Sequence, residues 1–152
     1  MKTEREYLAE LLQPFPGINA RKLDQLYTYL KLVLETNRRT NLTAITNWEE
    51  AVVKHLYDSL SVTRWPHWAE ALKVLDLGAG AGFPGIPLAI LCPQQKFFLV
   101  EASKKKAEFL TSVKAELRLD NTFILNERAE IIARQKAHRE QFRSSGEPYI
   151  LH

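Results

Sequence analysis

This 152-residue sequence has a single cysteine, and it lacks long apolar runs and a strong excess of either charge. Cys92 is its only cysteine, which excludes an internal disulfide and suits a reducing cytoplasm. No stretch approaches the roughly 20 apolar residues that a membrane-spanning helix needs. The charged opening MKTEREYLAE also lacks the apolar core of a secretory signal. We therefore expect a cytoplasmic protein without membrane association. The net charge of +3 is compatible with a nucleic-acid partner but does not establish one.

The first part of the chain has the pattern of a helical segment. Thr3 followed by Glu6 forms a capping box, and Asn19 and Asn47 are placed to cap two further helices. After each cap, apolar side chains recur at helical spacing. We assign residues 1–68 to an N-terminal helical cap.

From residue 73 onward, short apolar segments alternate with helical ones. The predicted strands are KVLDL, FFLVE and TFILN, and the predicted helices cover residues 85–91, 103–117 and 127–142. This alternation implies parallel strands joined by right-handed crossovers. Residues 69–142 are therefore predicted to form an α/β domain, a parallel sheet with helices on both faces.

The tail FRSSGEPYILH breaks this alternation. It is polar and rich in turn residues, and Pro148 lies in its short apolar end, so it makes a poor fourth strand. We assign residues 143–152 to an irregular tail. In a doubly wound sheet the first strand is central, and later strands continue on its far side. KVLDL is therefore predicted to lie at an open edge, where chains can self-associate, and the α/β domain is predicted to be incomplete.

A glycine-rich turn joins the first predicted strand to the helix after it, in VLDLGAGAGFPGIPLAI. Gly80, Gly82 and Gly85 satisfy G-x-G-x-x-G, and Glu101 ends the second strand, where a carboxylate can bind ribose hydroxyls. The same features fit a nicotinamide dinucleotide, so an NAD-dependent oxidoreductase is one alternative.

Asp76 favours a different ligand. A pyrophosphate on the following helix would face this carboxylate, at a cost of about 1 kcal/mol or more. S-adenosylmethionine carries an ammonium and a sulfonium, which a carboxylate attracts. The register D-x-G-x-G-x-G, whose glycines begin at Gly78, also puts flexible backbone beside the strand end. We predict S-adenosyl-L-methionine as the cofactor, and no metal site.

Several motifs in one order resemble the ribosomal RNA small-subunit methyltransferase G family, also called glucose-inhibited division protein B. They are VLDLGAGAGFPGIPLAI, VEASKKKAEFL, the upstream NLTAI and KHLYDSL, and ERAE at residues 127–130. The resemblance implies a Rossmann-like class I methyltransferase fold with an N-terminal helical cap. It also implies rRNA processing by methyl transfer to guanine N7 of 16S ribosomal RNA, either free or in the small ribosomal subunit.

The resemblance also assigns site residues by position. Gly78 and Phe83 would contact the cofactor, Glu101 would hold its ribose, and Ala129 with Glu130 would sit beside the adenine. Asp76 and Gly80 complete the predicted cofactor site.

The family pattern departs from this sequence after Phe142. In the family that position opens a strand, F-D-x-V/I, which leads to an arginine near the cofactor and the reacting base. Here the sequence continues Arg143-Ser144-Ser145-Gly146. The resemblance therefore implies a C-terminally truncated member. A catalytically silent remnant that self-associates through the open strand edge is the second hypothesis.

No catalytic residue is predicted, because guanine N7 has a free lone pair and its methylation needs no general base. His55, Asp58 and Ser59 are neighbours on one helix face, but a hydrolase would also need a nucleophile elbow and an oxyanion hole. The resemblance instead puts His55 and Asp58 near the cofactor, bracing the NLTAI segment.

The predicted substrate-facing residues lie upstream. Arg38 and Arg39 form a basic pair that we expect to face RNA. Asn41 begins NLTAI and either faces the substrate or forms a turn. His55 completes this set.

Overall fold

The computed structural model describes residues 1–134 and 149–151, and its strands and helices alternate from β1 onward. The helices are α1 (Glu4–Leu12), α2 (Ala20–Asn37), α3 (Trp48–Ala51), α4 (Asp58–Ser61), α5 (Gly85–Leu91), α6 (Lys104–Leu117) and α7 (Ala129–Arg134). The strands are β1 (Lys73–Leu77), β2 (Lys96–Val100), β3 (Thr122–Leu125) and β4 (Tyr149–Leu151). A π-helical segment, Val52–Tyr57, joins α3 to α4, and two short 3-10 helices cover Val62–Arg64 and Trp68–Glu70.

The predicted helix caps are confirmed. The Thr3 hydroxyl accepts the Glu6 N–H at 3.1 Å, and the Glu6 carboxylate accepts the Thr3 N–H at 3.3 Å. The Asn19 side chain accepts the Lys22 N–H at 2.8 Å. Asn47 caps α3 in the same way. Each cap satisfies an N–H group that the first helical turn leaves unpaired.

The four strands form one parallel sheet in the order β3-β2-β1-β4. The three strands predicted from the sequence are confirmed to within a residue at each end. Because parallel strands share direction, the segments that follow β1, β2 and β3 all emerge at one edge of the sheet. We call this the carboxyl edge.

The expectation that β1 lies at an open edge is wrong. β4 pairs with β1 in parallel, with Leu75 opposite Ile150. The strand begins one residue after Pro148, so proline does not interrupt the ladder. Leu151 is buried, and the Tyr149 ring packs edge-on against Trp68 at 5.2 Å. The prediction of an irregular tail is therefore wrong for these three residues. Burial of Leu151 and packing of the half-buried Tyr149 outweigh the weak local strand signal.

The sheet is covered on both faces, as predicted. Val74, Phe97 and Leu99 pack into a large core shared with α2, α5 and α6. Phe98 and Val100 point to the opposite face, where they form a smaller cluster with Ile132 of α7. Residues of the N-terminal helices are thus part of the same core as the sheet.

Part of the sequence prediction lies outside the described residues, namely the end of the third α/β helix at 135–142 and the tail at 143–148 and 152. Among the residues described, no helix has both the length and the apolar character needed to cross a bilayer. Residues 1–134 and 149–151 also hold no cluster of side chains suited to a metal ion.

Candidate functional site

Residues 78–85, which connect β1 to α5 and include the first residue of that helix, cross the carboxyl edge; we call them the glycine loop. Gly78, Gly80 and Gly82 have φ values of +76°, +57° and +106°, a region that other residues rarely adopt. The N–H groups of Gly78 and Ala79 both donate to the Val100 carbonyl at 2.9 Å. The loop is therefore tied to the end of the neighbouring strand β2.

Two glycines of the loop face open space and two face the protein. A Cβ added to Gly78 or Gly80 would meet no atom within 4 Å. A Cβ on Gly82 would lie 2.6 Å from the Ile86 side chain, and one on Gly85 would lie 2.7 Å from the Asp76 carboxylate. The first half of the loop thus leaves its backbone accessible to a ligand, whereas the second half permits close packing.

Glu101, at the end of β2, joins the loop to the next helix. One carboxylate oxygen accepts the Gly80 N–H and the other accepts the Ser103 N–H, both at 2.8 Å. The residue is only 8% exposed. Each oxygen retains a second acceptor position, so the carboxylate can also receive hydroxyl donors from a ligand.

Asp76 is predicted from the sequence to attract a positively charged cofactor, and the structure places its carboxylate inside the protein. The residue is 1% exposed and its carboxylate accepts the Gly85 N–H at 3.1 Å, beneath the glycine loop. Burial raises the pKa of Asp76 from 3.8 to about 7, the Gly85 bond opposes this rise, and the charge of Glu101 adds to it. Asp76 therefore supports the start of α5, and its charge is no longer an argument against a pyrophosphate.

Phe83 and His55 form a stacked aromatic pair beside the loop. Their ring centroids are 4.1 Å apart and the planes differ by 12°. The His55 Nε2 atom also lies 2.7 Å from the Thr43 hydroxyl. Burial lowers the pKa of His55, against the opposing charges of Asp58 and Glu50, so the neutral ring is favoured. The prediction that His55 braces the NLTAI segment agrees with this geometry.

The remaining predicted cofactor residues lie just past β3, on the same edge. Asn126 donates from its side-chain amide to the carbonyls of Glu101 and Ala102, at 2.9 and 3.1 Å. These bonds join the ends of β2 and β3. Ala129 is half-buried and Glu130 is exposed at the start of α7.

Comparisons with known proteins address the same segments. The family model for GidB, rRNA small subunit methyltransferase G, matches residues 22–143. The chain belongs to this family. Proteins called ribosomal RNA small subunit methyltransferase G share 37% identity over 142 residues in Oceanobacillus iheyensis and 42% over 125 residues in Alkaliphilus metalliredigens. Those alignments cover 93% and 82% of this chain, but only 59% and 52% of the relatives.

This member of the GidB family therefore spans little more than half the length of the curated relatives that it matches. A solved structure of similar fold is that of a putative protein-L-isoaspartate O-methyltransferase from Plasmodium falciparum, in complex with S-adenosyl-L-homocysteine. Its TM-score is 0.53 at 13% identity, covering 93% of this chain and 70% of that one. The similarity confirms the Rossmann-like class I fold.

Two residues of this GidB-family site are absent from the sequence prediction. The Tyr29 hydroxyl donates to the Ala81 carbonyl at 2.7 Å, and its ring lies 5.3 Å from that of Phe83. Burial holds the pKa of Tyr29 well above its usual range, so it stays a donor. A tyrosine on the apolar face of α2 was a usable signal, because a buried hydroxyl needs a partner.

Asn37 is the second such residue, and it lies beside the residues that the sequence predicts to face the substrate. Its side-chain oxygen accepts the N–H groups of Leu42 and Thr43, at 2.7 and 2.9 Å. Arg38, Arg39 and Asn41 are exposed around it. Of these three, Arg38 also lines a cavity of about 600 Å³. They are near the Thr43 end of the site but not part of the glycine loop.

Proposed function

We propose that this chain binds S-adenosylmethionine at the carboxyl edge and contributes that part of a guanine-N7 methyltransferase acting on 16S ribosomal RNA. The observation that carries the proposal is the open space over Gly78 and Gly80, directly beside the Glu101 carboxylate. Family membership supports the choice of ligand and substrate. A cytoplasmic location follows from the same proposal.

The residues present fit such a cofactor. The backbone at Gly78 and Gly80 is free to approach a ligand closely, because no side chain fills the space above it. Glu101 offers acceptors at the strand end where a ribose would lie. Ala129 is small, which leaves room for a flat base beside the start of α7.

Phe83 would form the apolar side of the site. Its ring contacts the rings of His55 and Tyr29, with centroid distances of 4.1 and 5.3 Å. A side chain already fixed by two contacts loses little conformational entropy when a ligand packs against it. His55 acts in this arrangement as a neutral positioning residue for Phe83 and Thr43.

When bound, S-adenosylmethionine supplies an electrophilic sulfonium methyl, which the lone pair of guanine N7 attacks as the carbon–sulfur bond breaks. Because N7 bears no proton, no residue of the chain has to remove one. The task of the protein is to align the two reacting atoms and exclude water. We accordingly assign no catalytic residue, and we assign Arg38, Arg39 and Asn41 to RNA contact.

Calorimetric titration tests the cofactor proposal. We expect the chain to bind S-adenosylmethionine and not NADH. Glu101→Gln should weaken binding about tenfold, or about 1.4 kcal/mol, because a charged acceptor of the ribose hydroxyls is lost. Glu108→Gln is the matched control, since Glu108 is an exposed acid on α6. Tighter binding of NADH than of S-adenosylmethionine would refute the proposal.

Transfer of labelled methyl groups into protein-free 16S ribosomal RNA tests the reaction itself. Mapping by cleavage at N7-methylguanine identifies the modified atom. Label at any other atom or in another class of substrate contradicts the assignment. Arg38→Gln with Arg39→Gln should raise the KM for RNA without altering the affinity for S-adenosylmethionine, since both residues lie outside the glycine loop.

A further inference from the structure

A groove with a cavity volume of about 510 Å³ lies at the edge of the sheet opposite the glycine loop. It is formed by the first turn of α2, the end of α5, the start of β2 and the segment between α6 and β3. Its charged and amide-bearing lining residues include Arg21, Lys22, Lys96, Arg118, Asp120 and Asn121. We call it the basic groove.

The basic groove holds four cations and one carboxylate, that of Asp120. In the described part of the chain, the side chains of Arg21, Lys96 and Arg118 have no acidic partner. Some lysines elsewhere on the surface are ion-paired, Lys2 with Glu10 and Lys54 with Glu50. The groove therefore concentrates uncompensated positive charge in a concave surface, where the fields of its residues add.

The floor of the groove is fixed by side-chain bonds to backbone carbonyls. The Asn121 amide donates to the carbonyls of Ala89, Cys92 and Gln95 at 3.0, 3.2 and 3.1 Å. The Lys22 ammonium, which also lines the groove, donates to the Leu91 carbonyl at 3.0 Å. The cations thus extend from a preorganised surface, which reduces the ordering cost of binding.

Helix α2 relates this groove to the carboxyl edge. Its first turn lines the groove, and its last residue, Asn37, holds the segment that carries Thr43. Eighteen residues of α-helix span about 27 Å, so the two regions lie far apart on one rigid element. An extended RNA chain is long enough to contact both regions at once.

We propose that the basic groove binds the phosphate backbone of RNA at a second contact remote from the site of methyl transfer. The identity of the RNA as a ribosomal substrate rests on the proposed function, whereas the groove's affinity for polyphosphate does not. Lysine and arginine that neutralise phosphates release condensed counterions, so the contact must appear in the salt dependence of binding.

The test is Lys96→Gln with Arg118→Gln, measured by filter binding to protein-free 16S ribosomal RNA over a series of KCl concentrations. The variant should bind severalfold more weakly, and the slope of log K against log salt should fall by about 2. Lys2→Gln with Lys54→Gln removes the same charge from ion-paired surface positions and should leave the slope unchanged. Arg21→Gln alone, at an exposed position of α2, should lower the slope by about 1.

Equal slopes for the groove variant and the control would overturn the proposal. So would a variant that retains RNA affinity and loses binding only to vesicles containing anionic lipid. Calorimetry with S-adenosylmethionine on the same proteins separates this result from the proposed function. If the wild-type chain failed to bind the cofactor, the proposed function would be refuted. If the groove variants bound RNA as the wild type does, only the proposed RNA contact in the basic groove would be refuted.

Discussion

The glycine loop contains two pairs of glycines, Gly78 with Gly80 and Gly82 with Gly85, which the sequence pattern alone does not distinguish. Around Gly78 and Gly80 there is open space, and a side chain there would project away from the protein. Around Gly82 and Gly85 there is none, because Tyr29, Ile86, Leu99 and Asp76 approach the backbone directly. The first pair is therefore available to a ligand, and the second pair lets α5 pack against β1.

This difference shows that one residue type meets two separate physical demands within eight positions. A close-packed interior tolerates little added volume, so the second pair is required for folding. The first pair, like Gly82, has left-handed backbone, and the open space beside it is where the proposed cofactor would approach. Substitutions at the two pairs should consequently separate stability from binding.

The largest effect is expected from Gly85→Ala. The new methyl group would collide with Leu99 and lie 2.7 Å from the Asp76 carboxylate, and both side chains are buried. We expect a loss of about 3 kcal/mol in the free energy of unfolding, measured by urea titration. Gly82→Ala should behave similarly, because its Cβ would lie 2.8 Å from the Tyr29 hydroxyl. If Gly85→Ala lost as little stability as Gly78→Ala, the proposed difference between the two pairs of glycines would be refuted.

Asp76→Asn should change how stability depends on pH. The pKa of Asp76 is raised in the folded protein from 3.8 to about 7, so the folded state holds a proton that the unfolded state has released. Stability should therefore fall as pH rises from about 3.8 to about 7, by about 2 kcal/mol or more from this group. Asparagine keeps an acceptor for the Gly85 N–H and should remove this slope. If the stability of the wild type and of Asp76→Asn depended on pH in the same way, the raised pKa of the buried Asp76 carboxyl would be contradicted.

Gly78→Ala addresses the open half of the loop. The left-handed φ of +76° should cost about 1 kcal/mol in stability, since the methyl group itself meets no atom. Affinity for S-adenosylmethionine should fall about tenfold, because the methyl group would enter the space assigned to the ligand. Circular dichroism and calorimetry on one preparation give both values. Unchanged affinity would show that the open space is not the cofactor site.

His55→Asn is expected to have the smallest effect. Loss of stacking on Phe83 and of the contact with Thr43 should lower stability by about 1 kcal/mol near neutral pH. Burial lowers the pKa of His55 below 6.5, so the unfolded chain takes up a proton at a higher pH than the folded one. The stability of the wild type should therefore fall as the pH decreases through 6.5. The variant, which lacks this histidine, should not show that fall. His67→Asn is the control at an exposed histidine. If His55→Asn and His67→Asn changed stability equally, the contacts of His55 with Phe83 and Thr43 would not account for the effect.

Local sequence was sufficient for much of the fold. The caps at Thr3, Asn19 and Asn47 depend on residues three positions apart, and strands β1 to β3 depend on short apolar runs. The position of Glu101 at the carboxyl edge is also predictable, because every strand of a parallel sheet ends at that edge. β4 could not be predicted, because its signal is three residues long and its stability comes from Val74, Leu75 and Asp76 of β1.

The sequence by itself determined the alternation of strands and helices, the left-handed glycine turn and the family, since each depends on residues close together along the chain. Only the tertiary structure decided that Asp76 is buried under the loop, which glycines stay open, and that His55 stacks on Phe83. Desolvation and packing depend on which distant segments meet. Burial can therefore raise the pKa of an acid such as Asp76, and two glycines that look alike in sequence can differ in their tolerance of a methyl group.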